Sequence, residues 1–409
     1  MDLIAIRPEQ LFLGMTLRYT LRDENGKILL IKGQTIEYPA QLQGLRTRRA
    51  IYVEIDESDE GVRAVMSGIS ALNLAGAPIK DFSKYLSMRK TSKHDEHSPA
   101  TIVQLWSDIE AKLGVLLGSI RTPTEFVERI GVLEEQTTQL LTQNSDAALF
   151  LLFHRAVTHY GGYSALHSLL CGCLTCALSR IFLLEEEQRV SLVRAALTMN
   201  VAMTHLQDLL ALQKTAPTPP QRRDIDRHPT IGKELLEAAG VTDPVWLELV
   251  ATHHTAPNEP GNFGQWPVVP KLNKILQTVD RYTAAMSPRK SRIGRTARDS
   301  VRSVVVREGS SKHDEVGTAL VSLLGLSPPG TFVRLSNGEI AVVLRRGGRP
   351  AEPVIASILN RSDDVIAEPR VRDTARDGLT IESTLPAHAV RVSLNPESML
   401  RLIPRGYSQ

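Results

Sequence analysis

The side chains best suited to chemistry are four histidines and one aspartate in the middle of the chain: His167, His228, His253, His254 and Asp280. Neutral imidazoles and carboxylates are ligands that first-row metals such as iron, manganese or zinc accept. His253 and His254 are adjacent, and adjacent side chains on a helix point about 100° apart, so both can face one cavity. The five residues are therefore capable of binding a metal, and the histidine pair is the sharpest local feature among them. For the histidine pair alone, the alternative is that it balances the dipole at a helix C-terminus.

The elements that must position these residues are helices. From about Ala100 to Leu324, apolar side chains recur at steps of three and four residues, most clearly from Tyr163 to Phe182. This spacing is typical of helices that bury one face. The stretch from Glu187 to Leu212 is predicted as one continuous helix.

Short strands are predicted on both sides of the helical region. Asn25-Gly26 lies between the apolar runs Met15–Leu21 and Lys27–Ile31, and this dipeptide tolerates the positive backbone angles of a tight hairpin. Beyond Pro328-Pro329-Gly330, a second hairpin is predicted around Asn337-Gly338. The predicted fold class is therefore mainly α, a helical bundle flanked by a small N-terminal β module and a C-terminal β-rich tail. The boundaries are 1–56 for the β module, 57–99 for a linker, 100–326 for the helical domain and 327–409 for the β-rich segment.

Composition excludes several classes of protein. The chain has 409 residues with 48 basic and 45 acidic side chains, a net charge of +3. Charge this balanced gives no concentrated basic face, so no nucleic acid is expected as a partner. No apolar stretch of the ~20 residues needed for a membrane span is evident, so no membrane insertion is expected. The three cysteines, Cys171, Cys173 and Cys176, share one apolar segment and are predicted as buried core residues, which favours the cytoplasm.

Short motifs surround the metal-capable residues in a definite order. They are His167-Ser168; His228-Pro229 followed by Gly232; His253-His254; and Asp280-Arg281-Tyr282-Thr283-Ala284 continued by Ser287-Pro288-Arg289-Lys290-Ser291-Arg292. Their order and spacing resemble the HD-GYP group of the HD phosphohydrolase superfamily, many of whose members hydrolyse cyclic di-GMP at a site of two or three iron ions. Segments that resemble the flanking regions of that group occur at Gly33–Val53 and Pro329–Glu339.

The resemblance implies an HD-type helical bundle and a bacterial cyclic di-GMP signalling protein. It places the five metal-capable residues at metal-ligand positions, and Arg289 and Arg292 at nucleotide-binding positions. Arginine binds phosphate bidentately and needs no metal to do so. The alternative for the two arginines is a solvated basic run that they share with Lys290, Arg295 and Arg298.

The chain departs from the family at its most characteristic motif. Where the family has A-A-L-L-H-D-I-G-K, this sequence has Met199 for the histidine and Asn200 for the aspartate. A thioether is a poor ligand for hard ions, and a neutral amide cannot replace the carboxylate that bridges two metals in the family. The G-Y-P motif after the histidine pair is also missing. His205 and Asp208 lie more than a turn beyond the expected position, which favours surface or packing roles for both.

These departures predict a degenerate family member that is non-catalytic or weakly active, and no catalytic residue is assigned. It would act through a signalling protein partner or through cyclic di-GMP, with a homodimer left open. No cofactor is expected, the alternative being one divalent metal (iron, manganese or zinc) in a residual site. The competing interpretation is an active cyclic di-GMP phosphodiesterase or phosphohydrolase with a rebuilt metal site.

Overall fold

The computed structural model describes residues 3–6, 11, 21–23, 28–30, 36, 39–47, 51–54, 99–121, 125–159, 161–256, 259, 261–291, 294, 296, 298–301 and 314–403. The chain divides into two compact units, Met1–His94 and Asp95–Gln409.

The first unit contains an antiparallel sheet and a short helix. Its elements are β1 (Leu3–Ile6), β2 (Leu21–Arg22), β3 (Ile28–Leu30), α1 (Pro39–Arg46) and β4 (Ile51–Glu54), and the strand order is β1-β4-β2-β3. Strands β2 and β3 pair antiparallel with Leu21 opposite Leu30, which confirms the pairing of the first predicted hairpin. Its turn residues 24–27 lie outside the described part of the chain. Leu11, Leu21, Ile36, Leu45 and Ile51 form the core of this unit.

The second unit begins with a run of helices. They are α2 (Pro99–Gly118), α3 (Phe126–Gln143), α4 (Ser145–Thr158), α5 (Tyr163–Ile181), α6 (Glu186–Thr198), α7 (Thr204–Leu212), α8 (Pro219–Ala238), α9 (Pro244–Thr252), α10 (Val268–Met286) and α11 (Glu315–Leu324). A short helix, α12 (Pro396–Arg401), follows the C-terminal strands. The mainly α fold class with a β-rich C-terminal part is confirmed.

Helix α5 lies at the centre of the bundle, where it packs against α2, α3, α4, α6, α7, α10 and α11. Contrary to the sequence expectation, this helix is long and apolar enough to cross a membrane, and it alone passes that test within the described residues. However, 83% of the apolar stretch is buried inside the protein. Such burial is typical of the core helix of a bundle, whose surface is apolar on all sides because neighbouring helices cover it.

The prediction of one helix from Glu187 to Leu212 is wrong, because the chain breaks in the middle. Helix α6 ends at Thr198, a 3₁₀ turn covers Val201–Met203, and α7 starts at Thr204. Asn200 leaves the helical conformation with φ −102° and ψ 12°. Asparagine competes poorly inside helices because its amide can bond to nearby backbone groups in other conformations. The break falls at the two residues that depart most from the family motif.

The C-terminal strands form a five-stranded antiparallel sheet in the order β8-β7-β6-β5-β9. The strands are β5 (Phe332–Leu335), β6 (Ile340–Arg345), β7 (Val354–Leu359), β8 (Val365–Asp373) and β9 (Ile381–Leu385). Phe332 is opposite Val342, which confirms the second predicted hairpin.

The sheet buries both faces of its central strands. Phe332 and Val342 belong to the same hydrophobic cluster as the helices, whereas Val333 and Val343 belong to a separate cluster on the other face. This is the alternation of a pleated strand, in which successive side chains point to opposite sides. Gly330 permits the close approach of sheet and bundle, because a Cβ there would lie 2.5 Å from the backbone N of His154.

Candidate metal centre and adjoining cleft

Helices α8 and α9 bring three histidines together: His228 near the middle of α8, and His253 and His254 just after the end of α9. A capping box fixes the start of α8, in which the Oε1 atom of Gln221 accepts a hydrogen bond of 2.8 Å from the backbone N–H of Thr218. His228 and His253 are buried, while His254 is exposed. The candidate ligand atoms of the three rings lie within 4.8 Å of one another.

The hydrogen bonds of His228 follow directly from the proline after it. Pro229 has no N–H, so the carbonyl of Ile225, four residues earlier, lacks its usual helical donor. The Nδ1 atom of His228 hydrogen-bonds that carbonyl instead. In the same way, Nδ1 of His253 bonds the carbonyl of Val250 at 2.7 Å, near the end of α9 where carbonyls have no helical partner.

These bonds turn two unprotonated nitrogens toward each other. With the ring proton of each neutral imidazole on Nδ1, the Nε2 atoms of His228 and His253 are acceptors, and they lie 3.0 Å apart. Burial lowers the pKa of His228 to about 4 and that of His253 to about 3, so neither ring carries a second proton at neutral pH. A cation between them would satisfy both lone pairs, and backbone carbonyls on the far nitrogens are typical of metal-bound histidine.

A second cluster lies between α5 and α10 and consists of His167, Cys171 and Asp280. The Nε2 atom of His167 is 2.8 Å from Oδ1 of Asp280 and 3.6 Å from Sγ of Cys171. All three side chains are buried. Burial lowers the pKa of His167, but its interactions with Cys171 and Asp280 outweigh this effect and raise the pKa well above its usual value.

Asp280 joins the two clusters. Burial raises the pKa of this carboxyl, but the hydrogen bond with His167 and the charges of His167, His253 and His254 bring it down to about 2. The same carboxylate raises the pKa of His228 and His253 against the effect of burial. The structure therefore brings all five predicted metal-capable residues into one region, where three imidazoles can hold a single ion.

Met199 and Asn200 follow α6 and lead into a 3₁₀ turn that packs against α8, the helix that carries His228. Met199 is fully buried in the main hydrophobic cluster, and Asn200 is also buried. The backbone oxygen of Met199 would lie 3.8 Å from a Cβ at Gly232, one turn after His228 on α8. Neither side chain can supply the negative charge that holds two cations close together. The described residues thus fit one metal ion at the trio better than a bridged pair.

Arg289 follows α10 and points at Tyr163, the first residue of α5. Its Nη2 atom donates a 3.1 Å hydrogen bond to the Tyr163 hydroxyl, and its guanidinium lies 5.1 Å from the centre of that ring. The Tyr163 ring stacks on the ring of His167 at 5.7 Å. Nε of Arg289 is buried and has no hydrogen-bond partner within the described part of the chain. Arg292 lies outside the described residues.

Arg289 also lines a cleft of about 320 Å³ between the helices and the C-terminal sheet. Lys214, Lys290 and His388 line it as well, together with the threonines Thr296, Thr331 and Thr384. No acidic side chain borders the cleft among the residues that the structure describes. The basic groups make the cleft a favourable environment for an anion such as phosphate.

Two further residues that were considered as ligands from the sequence, His205 and Asp208, belong to neither of the two metal-capable clusters. His205 is exposed on α7. Asp208 caps α5, because its carboxylate accepts hydrogen bonds of 2.8 Å from the backbone N–H and 3.0 Å from the hydroxyl of Ser164. The predicted surface and packing roles of the two residues are thus confirmed.

Sequence reasoning missed Cys171 as a possible ligand. The prediction that all three cysteines are buried and unpaired is confirmed. However, Cys171 follows His167 by four residues, and residues at this spacing face the same side of a helix. This spacing in the sequence could have identified Cys171, and not Cys173 or Cys176, as the cysteine nearest to His167.

The comparisons with known proteins give one similarity. The chain is 25% identical over 221 residues to a cyclic di-GMP phosphodiesterase of Pseudomonas aeruginosa, a match that covers 53% of each protein. The chain therefore spans about half the length of the curated relative that it matches. No family model and no solved structure matches the chain. This distant similarity supports the resemblance to the HD-GYP group drawn from the motifs.

Proposed function

We propose that the chain is a degenerate HD-GYP-like signalling protein that binds cyclic di-GMP and hydrolyses it weakly or not at all. One observation carries the proposal. Five metal-capable side chains lie together, while Met199 and Asn200 stand at the sequence positions of the family's histidine and of its metal-bridging aspartate. The similarity to a cyclic di-GMP phosphodiesterase supports the choice of nucleotide.

The weak catalysis follows from the chemistry of phosphodiester cleavage. Such a site needs a metal-bound hydroxide, and the metal must lower the pKa of its water toward ~7. Two closely spaced ions do this best when a carboxylate bridges them and offsets their repulsion. Asn200 is neutral, and Met199 is a soft ligand that suits neither iron nor manganese. A single ion at the histidine trio would therefore be a poor substitute for the bridged pair.

Nucleotide binding does not need the lost ligands. In the proposal, one phosphate of cyclic di-GMP contacts Arg289 in the basic cleft, where the Nε of this arginine has no partner among the described residues. Lys214 and Lys290 add positive charge to the same cleft. If the chain does not bind cyclic di-GMP, we expect it to regulate other proteins by binding a protein partner.

Calorimetric titration with cyclic di-GMP tests the binding. A charge-assisted hydrogen bond contributes about 1.5–3 kcal/mol, so Arg289→Ala should weaken the affinity about 10- to 100-fold. The matched control is Arg298→Ala, an exposed arginine of the same basic run, which should leave the affinity within about twofold because exposed charges contribute little. No binding by the wild type, or equal losses in both variants, would contradict the cyclic di-GMP part of the proposal.

The second candidate function is an active phosphodiesterase with a rebuilt metal site, and the geometry of the histidine trio favours it. The discriminating assay is cyclic di-GMP turnover by the purified chain after loading with iron, manganese or zinc. Turnover that His254→Ala abolishes, and that the exposed-histidine control His205→Ala leaves intact, would establish this alternative. Absence of turnover in all metal-loaded samples would support the degenerate protein. A cytoplasmic location is part of either proposal.

A further inference from the structure

We propose that His167, Cys171 and Asp280 form a thiolate-containing site for one zinc ion. The inference rests on the residual metal site of the proposed function, to which it adds a ligand and a preferred metal. It does not depend on cyclic di-GMP binding. The site lies between α5 and α10, next to the histidine trio but built from different side chains.

The positions of the donor atoms fit a tetrahedral ion. With Zn–S near 2.3 Å and Zn–N near 2.0–2.1 Å, a tetrahedral centre holds sulfur and nitrogen about 3.5–3.6 Å apart. The Sγ atom of Cys171 and the Nε2 atom of His167 lie 3.6 Å apart. Nε2 and the Oδ1 atom of Asp280 are 2.8 Å apart and would separate to about 3.3 Å, which replaces their hydrogen bond by two metal bonds.

The cluster differs from a simple buried ion pair of His167 and Asp280 because a third possible ligand, the thiol of Cys171, lies close to the shared nitrogen. The three side chains come from two helices that pack tightly at the centre of the bundle, which holds the donors in place. The Nδ1 atom of His167 is buried and has no hydrogen-bond partner among the described residues. Nε2 is thus the nitrogen of the ring that faces both Cys171 and Asp280.

The ligand types select zinc over the metals of the resembling family. Thiolate is a soft ligand that favours zinc, whereas manganese prefers oxygen ligands. One sulfur, one imidazole and one carboxylate supply three ligands, which is the number that catalytic zinc sites use while a fourth position stays open. Cys173, two residues further along α5, is equally buried but belongs to no group of three metal-capable residues in the described structure.

The test uses the full chain, stripped of metal and titrated with zinc and then with cobalt(II) as a spectroscopic probe. We expect one zinc per chain at this site and, with cobalt, a near-ultraviolet band from charge transfer between thiolate and metal. Cys171→Ser should abolish the band and weaken zinc binding about tenfold or more, since even changes beyond the direct ligands cost about that much. Cys173→Ser is the matched control and should change neither quantity.

Each outcome decides the question. A wild-type protein without the band, or a band that survives in Cys171→Ser, overturns the site and leaves His167 and Asp280 as a buried ion pair. A band equally lost in Cys173→Ser would point to disturbed packing and also overturn it. Loss of cyclic di-GMP binding with an intact band would contradict only the proposed function. His228→Ala, which removes a ligand of the trio, should retain the band.

Discussion

At the scale of single residues, Met199 and Asn200 offer a thioether and a neutral amide at the positions where the resembling family has a histidine and an aspartate. Met199 fills its space with a thioether and methyl group, and Asn200 has the shape of aspartate without its charge. Both positions lie where α6 ends, close enough to α8 for the backbone of Met199 to pack against Gly232.

The double change Met199→His and Asn200→Asp is expected to raise the metal content by about one ion per chain. The restored carboxylate supplies the charge that a second cation needs. Elemental analysis of protein purified with excess manganese or iron measures the effect. Met199→Leu with Asn200→Gln is the matched control, since it changes the same positions without adding ligands. An unchanged metal content in the restored variant would show that the neighbouring ligands are wrongly placed.

His154 should make stability depend on pH. It is buried between Phe150 and Phe332, and burial lowers its pKa although a 3.2 Å bond to the carbonyl of Gly330 acts in the opposite direction. Below a pH of about 6.5 the unfolded chain takes up a proton that the folded chain does not, so stability falls as pH falls, by at most about 1.4 kcal/mol per pH unit. His154→Gln should reduce this slope in denaturation measured from pH 7 to 5, while buried His228 and His253 maintain the rest of it. His205→Gln, at an exposed position, should not reduce it.

The residue scale also shows what a sequence can predict about a site. The five metal-capable residues were identifiable because family motifs keep them in order, and the Pro229 effect on the Ile225 carbonyl could be deduced from helix geometry. The contact between His167 and Asp280, by contrast, joins residues far apart in sequence. Nothing local specifies which helices pack together, so the way in which Asp280 connects the two clusters could only come from the structure.

At the scale of elements, the close contact between α5 and α6 depends on Gly172, which has no side chain. A Cβ on Gly172 would lie 2.8 Å from Cδ2 and 3.2 Å from Cγ of Leu197. Leu197 is fully buried and has little room to move. Helix α6 ends at Thr198, directly before Met199 and Asn200. The contact between Gly172 and Leu197 therefore fixes how far the break between α6 and α7 lies from α5.

Gly172→Ala is therefore expected to destabilise the protein by about 1–2 kcal/mol. Overpacking costs about 1–3 kcal/mol, and the better helix propensity of alanine offsets up to about 1 kcal/mol of it. Gly114→Ala on α2 is the control, because its Cβ would meet Ala165 at an ordinary 3.4 Å and should slightly stabilise the helix. Urea denaturation measures the free energy of unfolding of both variants, and the dependence of that free energy on urea concentration should stay unchanged. Equal effects of the two changes would mean that Leu197 adapts freely.

Element boundaries were predictable where chemical signals mark them and not elsewhere. The hairpin at Asn337-Gly338 carries such a signal, a turn dipeptide. The sequence prediction starts α8 only at Arg223, although the capping box at Thr218 signals the earlier start that the structure has. The break after Thr198 carries only Asn200, a weak signal inside an apolar, helical pattern. Packing of α7 against α5 adds to this weak signal, and tertiary packing of this kind can override local propensity.

At the scale of the second unit, the C-terminal sheet is part of the main core. Residues of β5, β6 and β7 share one hydrophobic cluster with the helices. Arg346 adds polar links, with hydrogen bonds of 3.0 Å to Asp146 and Ser145 on α4 and of 3.1 Å to the carbonyl of Leu323 on α11. The sequence predicts the strands from their alternation, but alternation does not say which partner covers the buried face.

Neighbouring residues of β5 should report the two faces of the sheet separately. Phe332 packs on the helices beside His154, so Phe332→Ala should cost about 3–5 kcal/mol and speed amide hydrogen exchange in both α4 and the sheet. Val333 belongs to the outer cluster, so Val333→Ala should speed exchange in the sheet while α4 stays protected. Exchange followed by mass spectrometry on the full chain resolves these segments. If Phe332→Ala left α4 protected, the sheet would open independently of the bundle, and the basic cleft between them would lack a fixed wall.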